Sequence, residues 1–260
     1  MFTASRSIED FVIELSTWYI RRNKKRGDKD FLQTLYETLV DISKLLAPFA
    51  PFISEEIFRN LTCKTSVHLE KWLEFDEKLV DAKLEHEMEK VKQVVELGHA
   101  VRKEKSIKVR QPLSELRIMN YELREELKEI VIEELNVKSV GAFHETPEKG
   151  DWAGKEENGI KLALNIELTP ELKAEGLMRD FLRLTQDARK EAGYAFNLSV
   201  SSSYSTTSAT LKDILTTPST SEPIKKRAIL SSLEEGIIEN ADIKKDGEIG
   251  GFPVTIYLKK

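Results

Sequence analysis

Apolar residues in the first sixty positions recur every three or four residues, which is the spacing of amphipathic helices. The first stripe comprises Ile8, Phe11, Val12, Leu15, Trp18 and Tyr19. A second helix follows Asp28 or Asp30, either of which can cap it, and ends at Pro48. Pro51 suits the first position of a third helix. Three helices with short connections predict a bundle.

A long helix and a mixture of strands and helices follow. Residues 62–75 lack a helical period and predict an extended strap, after which a continuous apolar stripe predicts a helix from near Asp76 to about Lys103. Pro112 excludes helix just before it. Thr169-Pro170-Glu171 is typical of a helix start. Strands are predicted at 116–119, 137–143, 160–168 and 198–204, and helices at 122–135 and 170–192.

The remaining segments carry fewer signals. Residues 150–159 are predicted to be a polar loop, and the Ser/Thr-rich stretch 199–223 a mobile loop around a short helix at 210–215. The C-terminal stretch 236–260 predicts a hairpin turned near Asp246-Gly247. We expect no internal repeat.

Together these elements predict an α+β protein. A helical bundle occupies 1–75, a long linking helix with its junction occupies 76–118, and a small mixed α+β domain occupies 119–260.

Composition restricts the function classes. The 260 residues contain 40 Lys and Arg against 45 Asp and Glu, a net charge of −5, so nucleic-acid binding has to come from local patches. The single cysteine, Cys63, excludes an internal disulfide, and no Cys/His cluster indicates zinc. No apolar run is long enough for a membrane span, and the first residues lack the apolar core of a signal peptide. We therefore expect a cytoplasmic protein without a membrane partner.

Catalytic motifs are absent from the sequence. It contains no GxxxxGK[ST] loop, no GxGxxG after a strand, no GxSxG elbow and no HExxH. We assign no catalytic or metal-ligating residue and expect no cofactor in this chain.

Two basic clusters are the remaining candidate chemistry. The first comprises Arg21, Arg22, Lys24, Lys25 and Arg26 beside Trp18, and the second comprises Arg102, Lys103, Lys105, Lys108 and Arg110 beside Gln111. Lys and Arg bind phosphate, and an aromatic ring beside them can stack on a base. Two alternatives to RNA binding stay open. Lysines and arginines at helix C-termini also complement the helix dipole, and Trp18 also fits the apolar stripe as a core residue. A third set, Arg179, Arg183, Arg189 and Lys190, has the charge mixing of a solvated face.

Three segments carry a resemblance to a known family. WYIRRNKKR (18–26), followed by FLQTLYETLVDISKLLAPFAPFISEEIFRNL (31–61), resembles the anticodon-binding helical domain of class Ia aminoacyl-tRNA synthetases. SVHLEKW (66–72) and ELGHAVRKEKSIKVRQPLSEL (96–116) are similar to isoleucyl-tRNA synthetases. LTPELKAEGLMRDFLRLTQDARKEAGYAF (168–196) resembles the start of their C-terminal domain.

The resemblance implies recognition rather than catalysis. These synthetases use ATP and magnesium in a catalytic domain with HIGH and KMSKS motifs, and neither motif occurs here. The chain looks like their C-terminal part, without the catalytic and editing domains and so inactive alone. The implied partners are the anticodon stem-loop of isoleucine tRNA and the catalytic domain or subunit. The residues matching RNA-contacting segments are Arg21, Arg22, Arg102, Lys103, Lys108 and Arg110.

An alternative is a protein-interaction module that docks a separate catalytic subunit without reading RNA itself. The RNA-binding hypothesis requires the cations near Trp18 and Ser106 to meet in one solvent-facing groove.

Overall fold

The computed structural model describes residues 2–24, 26–144 and 150–260. They form two compact units, Met1–Asp81 and Ala82–Lys260. The described residues of the first unit form helices and turns, whereas the second unit contains helices and two four-stranded sheets. This architecture confirms the predicted α+β class.

The first unit is helical. Its helices are α1 (Phe2–Glu14), α2 (Arg21–Asn23), α3 (Lys29–Leu46) and α4 (Pro51–Thr62). A π-helical segment, Leu15–Ile20, joins α1 to α2, and 3₁₀ turns follow at Val67–Leu69 and Glu77–Leu79.

Local signals set the starts of α3 and α4. Of the two candidate caps, Asp28 is the one used, because its carboxylate accepts a hydrogen bond from the backbone N–H of Phe31 at 2.9 Å. That bond, together with the Arg26 guanidinium, holds the pKa of Asp28 below its usual value. Pro51 begins α4 as predicted. The buried apolar side chains of this unit are Leu15, Phe31, Ile42, Phe58 and Val67.

Two predictions for this part of the chain need correction. The first apolar stripe is helical, yet Phe11 and Val12 are exposed and α1 has no buried residue. The long helix begins at Ala82 instead of near Asp76. Asp76 instead caps the 3₁₀ turn, because its carboxylate accepts from the backbone N–H of Lys78 at 3.0 Å.

The second unit alternates helices and strands. Its helices are α5 (Ala82–Glu104), α6 (Glu125–Leu135), α7 (Pro170–Glu191), α8 (Ala209–Thr216) and α9 (Pro218–Ala228). Its strands are β1 (Leu113–Met119), β2 (Val137–Phe143), β3 (Trp152–Glu157), β4 (Ile160–Asn165), β5 (Val200–Thr206), β6 (Leu230–Glu235), β7 (Ile243–Ile249) and β8 (Phe252–Lys259).

The two sheets have the same topology. The first has strand order β2-β1-β4-β3 and the second β6-β5-β8-β7. In each sheet a long helix, α5 or α7, leads into the first strand, β1 or β5. A helical crossover then leads to a parallel partner strand, β2 or β6. An antiparallel hairpin, β3–β4 or β7–β8, completes the sheet on the other side of the first strand. The expectation of no internal repeat is therefore wrong at the level of structure.

A short sequence signature accompanies this repeat. Arg102-Lys103-Glu104 ends α5, and Arg189-Lys190-Glu191 recurs at the end of α7, 87 positions later. Four residues beyond each arginine, Ser106 and Gly193 both have positive φ, at +56° and +67°. Each glutamate also pairs with a lysine of its own sheet, Glu104 with Lys155 and Glu191 with Lys245.

Each arginine of this signature is buried and bound to backbone carbonyls. Arg102 donates to the carbonyls of Lys108, Gln111, Leu135 and Asn136, at 3.1, 3.0, 2.6 and 3.2 Å. Arg189 donates to those of Ala195, Leu198 and Ile229, at 3.3, 2.6 and 3.2 Å. Asn136 and Ile229 are the left-handed residues that end the crossovers of the two sheets. Each guanidinium therefore ties a helix end, the loop to the first strand and the crossover together.

Several elements were missed or misplaced by the sequence patterns. Residues 152–157 form β3 rather than a polar loop. In the Ser/Thr-rich stretch the predicted strand and short helix are confirmed as β5 and α8, but the expected loop beyond them is the helix α9, and β6 follows it. The hydroxyls of this stretch are partly internal, because Ser202, Ser208 and Ser221 are buried. The last hairpin turns at Gly250-Gly251, both with positive φ, while Asp246 and Gly247 lie within β7.

Replacing either buried arginine by an apolar residue of similar length should destabilise the second unit. We expect Arg102→Met and Arg189→Met each to lower the free energy of unfolding by about 3 kcal/mol, because several buried carbonyls lose their donor. Urea unfolding followed by circular dichroism measures this change.

The adjacent exposed lysines supply the control. Lys103→Met and Lys190→Met should change the same free energy by less than about 0.5 kcal/mol. Equal effects at the arginines and the lysines would contradict the bracing role.

Candidate nucleic-acid interface

The first basic cluster surrounds a half-buried tryptophan. Trp18 lies on the π-helical segment and lines a small apolar cavity of about 230 Å³ with Phe11, Leu15 and Tyr19. The Arg21 guanidinium lies 6.0 Å from the centre of the Trp18 ring, and its Nε donates to the carbonyl of Thr17 at 2.6 Å. Such a cation over an aromatic face combines both groups that an unpaired base contacts.

The rest of this cluster varies in availability. Arg21 and Lys24 are exposed and Arg22 is half-buried, whereas Lys25 lies outside the described residues. Arg26 is bound to Asp28, the N-cap of α3, since its Nε donates to Asp28 Oδ2 at 2.8 Å. Because this ion pair is at the surface, it is weak enough for a phosphate to compete with it.

Arg102 is the clearest correction in the second cluster. Its side chain is only 1% exposed, and its four hydrogen bonds go to backbone carbonyls. Burial lowers the pKa of Arg102 to about 10, so the group remains charged at neutral pH. The prediction that Arg102 contacts phosphate is wrong, because the guanidinium is inside the unit.

Gln111 is also used internally. Its Nε2 donates to the carbonyl of Leu172 at 2.7 Å and to that of Pro112 at 3.1 Å. The side chain packs so closely on α7 that a Cβ added at Gly176 would lie 2.2 Å from its Oε1. Gln111 therefore holds the loop against α7 and has no free amide for RNA, which corrects its assignment as a contact residue.

Lys108 and Arg110 project from the same loop and share one carboxylate. Arg110 Nε donates to Asp180 Oδ1 at 2.8 Å, and Lys108 Nζ lies 3.6 Å from Asp180 Oδ2. The lysine side chain is 63% exposed and the arginine 41%, whereas the aspartate is 16% exposed. Asp180 therefore positions both cations while leaving much of each accessible to solvent.

Lys103 and Lys105 complete the exposed part of the cluster. Both side chains are exposed, and within the described ranges neither has an ion pair. We call Lys103, Lys105, Lys108 and Arg110 the basic loop. Asn136 supports this loop by donating from Nδ2 to the carbonyls of Val109 and Arg110, at 2.9 and 3.0 Å.

Sequence reasoning missed the residues that hold the loop. Asp180 lies 70 positions from Arg110, so local pattern gives no signal for their pairing. For Arg102 and Arg189 a signal exists, the recurring Arg-Lys-Glu triplet at two helix ends. The solvated-face interpretation is wrong for Arg189, because its side chain is buried.

The described residues contain neither a metal-binding cluster nor a membrane-spanning helix. Among residues 2–24, 26–144 and 150–260, no three His, Cys, Asp or Glu side chains are grouped closely enough to hold a metal ion. No helix in these ranges combines the length and apolar character needed to cross a bilayer.

Comparison with known proteins decides the family. Residues 1–118 match the model of the anticodon-binding domain of tRNA ligase. The whole chain aligns with an isoleucine–tRNA ligase of Dehalococcoides mccartyi, 34% identical over 279 residues that cover 99% of this chain and 27% of that protein. The chain belongs to the isoleucine–tRNA ligase family.

Other members of the family match shorter parts of the chain. The isoleucine–tRNA ligase of Streptomyces coelicolor is 31% identical over 73% of this chain and 26% of its own length. That of Clostridium acetobutylicum is 43% identical over 53% of this chain and 15% of its own length. The chain thus spans about a quarter of the length of the isoleucine–tRNA ligases it matches.

The anticodon-binding match covers both basic clusters. It includes all of the first unit and continues through α5 and the basic loop to Ile118 in β1. The family match and the exposed cations therefore coincide in sequence.

Proposed function

We propose that this chain binds isoleucine tRNA at its anticodon stem-loop, as the tRNA-recognition part of an isoleucine–tRNA ligase. The observation that carries the proposal is the basic loop, whose exposed cations lie within the segment matching the anticodon-binding domain. In a chain of net charge −5, such a loop is a local site for phosphate.

The basic loop supplies affinity through charge. Lys103, Lys105 and Lys108 act as point charges toward phosphate oxygens, and Arg110 offers a second donor edge while Nε stays on Asp180. Arg102 contributes indirectly, because it fixes the loop backbone through the carbonyls of Lys108 and Gln111. A fixed loop loses less conformational entropy on binding.

The first cluster supplies stacking in this proposal. Trp18 and Arg21 offer a ring and a guanidinium plane to unpaired bases, while Arg22 and Lys24 add positive charge. That both clusters contact one stem-loop remains part of the proposal. Attachment of isoleucine, with ATP and magnesium, is proposed only for the complete ligase.

A second candidate function is docking of a separate catalytic synthetase subunit, without recognition of RNA by this chain. It is supported by exposed apolar side chains in the first unit, among them Phe52 at 90% and Ile53 at 57% exposure. Co-purification with a catalytic synthetase subunit, combined with no affinity for tRNA, is the result that favours this candidate over RNA binding.

Reversing charge on the basic loop should weaken tRNA binding. We expect Lys103→Glu with Lys105→Glu to reduce affinity for isoleucine tRNA about tenfold or more, because two phosphate contacts are lost. The slope of log affinity against log salt should become shallower by about 1.5, measured by filter binding at several salt concentrations.

The matched control reverses two exposed lysines elsewhere in the second unit. Lys173→Glu with Lys226→Glu should leave both affinity and salt slope close to those of the unchanged chain. Similar losses in both double variants, or equal affinity for all tRNAs, would argue against a localised interface.

Removing the shared carboxylate should have the opposite effect. Asp180→Asn keeps an oxygen acceptor for Arg110 but removes a negative charge from the basic loop, so affinity for isoleucine tRNA should rise about threefold. Asp213→Asn, at an exposed position of α8, controls for net charge alone. A fall in affinity specific to Asp180→Asn would refute this electrostatic account.

A further inference from the structure

An open cavity of about 460 Å³ lies in the first half of the second unit, and its lining contains no residue of the basic loop. It is bounded by α5, the end of β1 and the turn between β3 and β4. Its polar lining includes Lys90, Gln93, Asn120, Tyr121, Asn158 and Lys161. None of them belongs to the interface proposed above.

The repeated architecture shows why this cavity is open. The Arg102–Arg189 offset of 87 places Lys90 of α5 at the position of Leu177 in α7. Leu177 packs on the β7–β8 turn, where a Cβ added at Gly250 would lie 2.6 Å from its Cδ2. Lys90 instead turns its ammonium to the Tyr121 ring, 4.5 Å from the ring centre. The two halves thus share a scaffold but differ at this position.

The charge of the cavity favours an anion. Over the part of the chain that the structure describes, neither Lys90 nor Lys161 has an ion pair, and both line the cavity together with His86. Glu156 is the acidic residue of the lining, and it lies opposite Lys161 on the neighbouring strand. The Tyr121 ring holds the Lys90 ammonium at the wall, where a phosphate oxygen can accept from it.

The remaining lining suits a heterocyclic base. Gln93, Asn120 and Asn158 line the cavity with side-chain amides, a group that both donates and accepts, as a base edge does. Gln93 Nε2 also donates to Glu89 Oε1 at 3.4 Å, a long bond that leaves its oxygen as the stronger group toward a ligand. Asn120 Oδ1 lies 2.9 Å from His144 Nδ1, and this contact leaves the amide nitrogen of Asn120 for a ligand. Apolar residues complete the wall, namely Val94, Ile118, Met119 and Ile160. The volume falls in the range of small-ligand sites.

We propose that this cavity binds a single nucleotide, with its phosphate at Lys90 and Lys161 and its base edge at the side-chain amides. The nucleotide is either an unpaired residue of an RNA or a free mononucleotide, and the chemistry of recognition is the same for both. The site goes beyond the proposed function, because it shares no residue with the basic loop.

The test uses the full chain and observes the cavity directly. AMP, GMP, CMP and UMP are titrated while the side-chain amide NMR signals of Gln93, Asn120 and Asn158 are followed. We expect at least one nucleotide to shift these signals saturably. Its Kd should rise about fivefold or more in Lys90→Leu, which installs the residue of the second half, and in Lys161→Gln. Lys83→Gln, an exposed position on the same helix, should leave the Kd unchanged.

Two further probes separate the nucleotide from other anions. Inorganic phosphate and a short peptide of Asp and Glu are titrated in the same way. The proposal is overturned if no nucleotide shifts the amides, if phosphate or the peptide does so as well as a nucleotide, or if both lysine variants retain the original Kd. Lys161 is half-buried at the cavity, and replacing it by Gln removes no apolar core. The Lys161→Gln variant therefore remains informative if Lys90→Leu fails to fold.

Isoleucine tRNA distinguishes the two sources. This comparison applies once the first test has shown that a nucleotide binds. Weaker tRNA binding by Lys161→Gln then assigns the site to RNA, and unchanged tRNA binding assigns it to a free nucleotide. The two proposals can fail separately, since Lys103→Glu with Lys105→Glu should leave mononucleotide binding intact.

Discussion

The second unit depends on a buried guanidinium that satisfies backbone carbonyls from two separate segments. Arg102 joins the end of α5, the loop before β1 and the end of the α6 crossover. A charge in this position is stable because its two terminal nitrogens, Nη1 and Nη2, donate to four carbonyls, which are in turn satisfied by it, while Nε has no partner among the described residues. The basic loop has a defined shape because its backbone is held from inside, by Arg102 and Asn136, while its cations face outward.

The same device occurs twice, and the two copies have diverged at the surface. Arg189 repeats the bracing role, and the Glu191–Lys245 pair repeats Glu104–Lys155. Beyond Glu104 the chain carries Lys105, Lys108 and Arg110, whereas residues 192–199, beyond Glu191, contain no cation. The scaffold therefore explains stability in both halves, and both proposed binding sites lie where the two halves differ.

Local signals in the sequence predicted much of the fold. Each predicted helix start acts within one helical turn, so a few consecutive residues of the sequence are enough to recognise it. The examples are Asp28, Pro51 and Thr169-Pro170. Burial of Ser221, by contrast, depends on elements that meet only after folding, so the segment that forms α9 was expected to be a loop. The site divided in the same way. Lys103 and Lys105 are exposed as their charge suggested, but the side chains of Arg102 and Gln111 bind backbone carbonyls up to 61 positions away.

The most direct test of the central claim is cleavage of isoleucine tRNA from a probe on the basic loop. An iron–EDTA group attached to Lys105→Cys, with Cys63→Ser removing the single native thiol, produces hydroxyl radicals that cut nearby ribose positions. The account predicts cuts confined to the anticodon stem-loop and suppressed at high salt. Cuts concentrated in another arm of the tRNA, or none above the level of the unlabelled protein, would contradict it.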